Sequence, residues 1–170
     1  MNPTFHTPPA KVARPGFVRS ILELLGVVLF RFRPVPRVWG WWLVAVNGAS
    51  LAFISTVEAQ VVLAVTVVAV LLQSLAYQRI GFTRILGITH CAWIPMFAWL
   101  GMRLDHIMLN QPLAIWLSVA LATNTVSLVI DTIDAARFLR GERQPHYHWT
   151  KSEATCEAPL DRINERALPD

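Results

Sequence analysis

Four stretches of this chain are almost free of charge, and the polar residues inside them recur at helical spacing. The last, from Pro112 to Gly141, sets the pattern. Asn124, Ser127, Asp131 and Asp134 follow one another at steps of three, four and three, so they share one face of a helix that is otherwise mostly Leu, Ile, Val, Ala and Trp. A polar stripe on an apolar helix turns toward other helices when the surroundings are lipid. The four runs cover about Val38–Val57, Ala59–Gln78, Ile85–Met102 and Leu113–Ile133. Near 1.5 Å per residue each reaches roughly 30 Å, the thickness of a bilayer's hydrocarbon. Asn110 and Pro112 suit the start of the fourth helix, which continues to Arg140 with Gly141 as C-cap.

The connections fit that outline. A very tight turn at Glu58 makes the first two runs an antiparallel hairpin, Arg79–Arg84 is a basic loop, and Arg103–Gln111 joins the last two runs. Trp39, Trp41 and Trp42 stand at the start of the first run, where indoles prefer the headgroup level. Asn47, beside Gly48 and Ser50, is placed to bond across helices. Pro95 predicts a kink one turn after His90. Ahead of the runs, residues 17–30 are apolar but too short to span and carry Arg19 and Glu23 four apart. We read them as an amphipathic helix in the membrane interface, anchored by Arg31, Arg33 and Arg37, rather than a helix docked on a soluble partner. A signal peptide is disfavoured because Arg31-Phe32-Arg33-Pro34 follows instead of a small-residue cleavage site. Residues 1–16 and 142–170, rich in proline and polar residues, are expected to be disordered. The expected fold is all-α: a cytoplasmic arm and interfacial helix (1–37), an integral membrane four-helix bundle (38–141) and a polar cytoplasmic tail (142–170).

Composition agrees. The 170 residues are 54% hydrophobic and 15% charged, against about 25% charged in a usual soluble domain. The net charge of +4 does not point to nucleic acid, because the basic residues sit at the ends of the apolar runs and no binding motif accompanies them. Of the 15 Lys and Arg, all but Arg103 fall before the first run, in the Arg79–Arg84 loop or beyond the fourth run. That asymmetry predicts cytoplasmic N- and C-termini, an even number of crossings, and residence in a plasma membrane such as the bacterial inner membrane. Cys91 and Cys156 lie in an apolar run and a polar tail, with no C-x-x-C, so neither a disulfide framework nor thiol redox chemistry is indicated.

This topology brings Gln73, Tyr77 and His90 to the cytoplasmic half, level with Asp131 and Asp134, with Asn124 and Ser127 deeper. Ionisable groups at such depth cost free energy and are usually paired inside the bundle, and His90 facing Asp131 is the expected pair. Such a pair suits a proton relay, a metal site or a structural lock on helix register. The metal reading lacks any H-x-x-E, H-E-x-x-H or C-x-x-C spacing, and no cofactor is implied: His90 and His106 lie near opposite ends of one run and cannot share a haem iron. The structural lock is preferred. Asp134 has an alternative i,i+3 partner in Arg137, and Glu58 suits the positive end of the second helix better than a substrate role. His106 and Asp105 fall in an exposed outer loop, and His146-Tyr147-His148-Trp149 in a tail without fixed geometry. No G-x-x-x-x-G-K-[ST], G-x-S-x-G or Arg-rich span occurs. The expected role is non-enzymatic: a small multi-pass protein that anchors, supports or assembles a partner in the bilayer, either another membrane protein or a second copy. The alternative is a transporter or membrane enzyme with a cytoplasm-facing His/Asp site, which needs an opening to that pair.

Overall fold

The computed structural model describes residues 16–142. The expected disorder of the N-terminal arm and the tail, with His146–Trp149 and Cys156, falls outside the described residues. Within them the chain is helical and has no strand. Helix α1 (Phe17–Gly26) buries Ser20 and Leu24, and Val27 follows on the same face. That face lies against α3 (Val57–Ile80), where the Tyr77 hydroxyl donates to Glu23 Oε2 at 3.4 Å. The other face stays open, with Val18 and Leu22 about two-thirds exposed. The amphipathic helix therefore docks on its own chain with one side while keeping an apolar side outward.

A π-helical segment, Val27–Arg31, follows α1, and α2 (Pro34–Gly48) starts on a proline whose missing N–H costs nothing there. The Leu29 carbonyl lies in the last turn of this segment, where the residue five on is Pro34 with no N–H to offer, and it accepts the Trp41 indole N–H at 3.0 Å. Gly40 lets α2 approach this segment: a Cβ there would stand 2.9 Å from Val28 Cγ1. A 3₁₀ segment, Ala49–Phe53, extends α2, and Thr56 caps α3 by accepting from the Ala59 N–H. Helix α3 ends at Gly81, whose φ of 70° is a conformation glycine tolerates.

A second 3₁₀ segment, Arg84–Ala92, leads into α4 (Trp93–Met102). Pro95 sits in the first turn of α4, and the winding of the run Arg84–Met102 changes between Ala92 and Trp93, just ahead of the ring that would crowd the Cys91 carbonyl. Short helix α5 (Leu104–Met108) precedes α6 (Gln111–Leu139), where the Asn110 side chain accepts from the Leu113 N–H as expected. Gly141 closes α6 at φ 97°. Its N–H bonds the Phe138 carbonyl, and that of Glu142 the Arg137 carbonyl, the paired pattern of a glycine C-cap.

Three helical runs, Val57–Ile80, Arg84–Met102 and Gln111–Leu139, are long and apolar enough to cross a membrane. Only 22%, 22% and 39% of their most apolar windows are buried within the chain, so most of that surface needs an apolar surrounding, as a membrane protein's does. The expected first span is present as the helical run Pro34–Phe53 but is not among these three. Pro36, Arg37, three tryptophans and Asn47 dilute its apolar character. The dry core gathers toward the Glu58 end, where Val62, Trp93, Leu100, Leu113 and Leu117 are buried and Phe53 stacks on Trp116 with centroids 5.1 Å apart.

Candidate functional site

The polar stripe of α6 meets a complementary stripe on Arg84–Ala92. With three residues per turn, a 3₁₀ helix stacks positions three apart in one line, so Arg84, Gly87 and His90 share a face. On α6, Asp131 and Asp134 are neighbours at i,i+3. Arg84 Nη1 stands 2.9 Å from Asp134 Oδ1, and His90 Nδ1 2.7 Å from Asp131 Oδ2. Gly87 lies between, and an added Cβ would run into the Asp131 carboxylate. A nine-residue 3₁₀ run exceeds the usual three or four residues, and these contacts are what it achieves.

The second ring nitrogen of His90 is also engaged. The Gln73 Nε2 amide group lies 3.0 Å from His90 Nε2 and donates to it. Nδ1 then carries the proton directed at Asp131. One face of the ring is covered by Trp93, stacked at 4.3 Å and 13°. The His90 and Asp131 side chains are 16% and 19% exposed, mostly shielded but not sealed. A carboxylate–imidazole pair can in principle hold and move a proton, yet here the polar atoms of the ring face protein partners. Among the described residues, no group of three or more His, Cys, Asp or Glu stands close enough to hold a metal.

A neutral layer lies deeper. Asn47 and Asn124 exchange two amide hydrogen bonds, both 3.0 Å, joining α2 to α6. Asn47 also donates to the Leu43 carbonyl, and Thr66 on α3 stands 3.4 Å from its Oδ1. Trp42 donates to Thr123 at 3.1 Å, and Trp116 to the Val46 carbonyl at 2.9 Å.

Of the residues expected to converge, the structure joins His90, Asp131 and Gln73 directly and sets the Arg84–Asp134 pair beside them. Asn124 belongs to the neutral layer, and Ser127, 4% exposed, is buried between the two levels. Tyr77 turns to Glu23 on α1 rather than to His90. The expected i,i+3 role of Asp134 is superseded by the cross-helix bond to Arg84, while Arg137 stands 3.9 Å from Glu142. Glu58 occupies the first turn of α3 as expected, but Thr56 supplies the cap, and the carboxylate, 2% exposed, meets Arg103 Nε at 2.8 Å. Arg84, Gly87 and Arg103 are the residues that helical periodicity missed. The signal for Arg103 was available: it is the lone Lys or Arg in the two connections at its end, and Glu58 is the lone charge in the facing turn. That for Arg84 and Gly87 requires a period of three instead of 3.6.

No protein-family model, curated protein or solved structure matches this chain.

Proposed function

We propose that this chain is a small multi-pass integral membrane protein that crosses the bilayer four times, with both ends cytoplasmic, and holds or assembles a membrane partner without catalysing a reaction. The observation that carries the non-catalytic reading is that both ring nitrogens of His90 are engaged by protein partners. Nδ1 is engaged by Asp131, Nε2 by Gln73 and one ring face by Trp93, so the polar groups join helices to one another. Pairs of this kind fix helix register in membranes. The four-crossing topology draws support from the distribution of Lys and Arg and from three helices apolar enough to span. The run Pro34–Phe53 supplies the remaining crossing, with Trp41 and Trp42 half-exposed near its start. The partner, a second membrane protein or another copy, would meet apolar faces the chain leaves open, such as Val18 and Leu22 on α1.

Chemical cross-linking in native membranes, followed by affinity purification, tests the role. A stable stoichiometric membrane partner or homo-oligomer is the expected product. An Asp131→Asn chain that folds and assembles normally but abolishes a transport or turnover activity of the wild type would reverse the reading. An alkaline-phosphatase-type reporter fused to the C-terminus should be inactive, and strong activity would refute the orientation.

A further inference from the structure

The end of the molecule remote from His90 carries a second polar arrangement that a structural lock leaves unexplained. A depression of about 330 Å³ opens between the starts of α3 and α6, lined among others by Ser55, Glu58, Arg103, His106 and Asn110. Arg103 stands at its edge with two partners. Its Nε donates to the buried Glu58 carboxylate at 2.8 Å, and its guanidinium carbon lies 5.1 Å from the centre of the Trp99 ring. This use of Nε leaves the two terminal nitrogens of the fork, on a side chain still 34% exposed, for something outside the chain. His106 is exposed on the same wall and adds a ring N–H. Glu58 balances the charge of Arg103, and the first turns of two long helices, 24 and 29 residues, border the space and add partial positive charge to the exposed fork.

We propose that this depression binds a phosphate group, and that its occupant is the headgroup phosphate of a phospholipid. A guanidinium fork oriented through its Nε on a carboxylate presents its two terminal nitrogens in the geometry that phosphate oxygens accept. The rim argues for a lipid source. Met102, Leu104, Met108 and Leu109, on and around α5, are 78%, 53%, 69% and 83% exposed, an apolar collar that acyl chains would cover. Glu58 is a positioning residue: it aims the fork and does not touch the phosphate. The lipid source rests on the membrane reading, whereas recognition of phosphate itself does not.

The test uses the full chain in a maltoside detergent, which contains no phosphate, and follows thermal unfolding during three titrations. The probes are a short-chain phosphatidylglycerol, the diacylglycerol with the same chains, and inorganic phosphate. Phosphatidylglycerol should raise the melting temperature saturably, diacylglycerol should leave it unchanged at equal concentration, and inorganic phosphate should act at least ten-fold more weakly. The double variant Glu58→Gln/Arg103→Gln, which keeps a neutral hydrogen-bonded pair, should lose at least ten-fold in phosphatidylglycerol affinity, and His106→Gln several-fold. Equal stabilisation by diacylglycerol overturns the proposal, as does wild-type affinity in both variants. Should the double variant fail to fold, wild-type affinity in His106→Gln alone overturns it. Inorganic phosphate binding as tightly as the lipid upholds the phosphate site and overturns the lipid source, independently of any bilayer.

Discussion

Two polar layers link the helices, and they solve the same problem with different chemistry. The deeper one is neutral. Asn47 and Asn124, 3% and 1% exposed, satisfy each other with reciprocal amide bonds and need no charge. The other, seven residues or about 10 Å further along α6, carries charge: the Arg84–Asp134 ion pair and the Asp131 carboxylate bonded to the His90 ring, with side chains 12% to 19% exposed. Position along the helices thus sorts the chemistry. Where the side chains are almost fully buried, the amide is the polar group whose donors and acceptors can be matched without stranding a charge. Nearer the helix end, charge is affordable and brings direction. The two layers also differ in what they require of the backbone. The amide pair sits on ordinary α-helices, whereas the pairs of the charged layer need a 3₁₀ segment and a glycine to line up.

The contrast can be broken at four places, each read by unfolding the purified chain with a denaturing detergent. Gly87→Val should be the most damaging, at about 3 kcal/mol, because the new side chain occupies the space of the Asp131 carboxylate. A stable Gly87→Val protein would mean that the charged layer is not packed as described. Asn47→Leu comes next, at about 1–3 kcal/mol, since it leaves the buried Asn124 amide unsatisfied. Adding Asn124→Leu should recover most of that loss, and failure to recover would show that the amides do more than satisfy one another. Asp131→Asn should cost about 1 kcal/mol, because the amide oxygen still accepts from His90 Nδ1 while the charge is gone. Arg84→Gln, at the outer edge of the same layer, should cost about 0.5 kcal/mol. An Arg84 effect larger than that of Asp131 would invert the order within the charged layer.

Much of the fold was legible because lipid-facing helices leave a coarse signature. Long uncharged runs, Asn110 and Pro112 at one end and Gly141 at the other marked α6 closely. The 131/90 pairing was legible too, since depth alone placed both residues at one level. Three features escaped for physical reasons. Tyr77 and Gln73 share a face of α3, but the reading of 17–30 as lying in the membrane interface gave α1 no place beside Tyr77, and Glu23 takes it there. Arg84 and Gly87 fall out of line with His90 when an α-helical period is assumed, so Arg137 was the only partner that spacing offered Asp134. The Pro34–Phe53 run reads as a span from its length and tryptophans but is less apolar than its neighbours, so pattern and composition diverge there.

The long 3₁₀ segment has a metric consequence as well as an angular one. Wound wholly as α-helix, the 19 residues from Arg84 to Met102 would extend about 28 Å. With nine of them in the steeper winding they reach about 33 Å. That difference of roughly one helical pitch separates a rod slightly shorter than a hydrocarbon slab from one that clears it. The chain thereby acquires a gauge, tuned by winding instead of by added residues, for the thickness of the sheet it would inhabit.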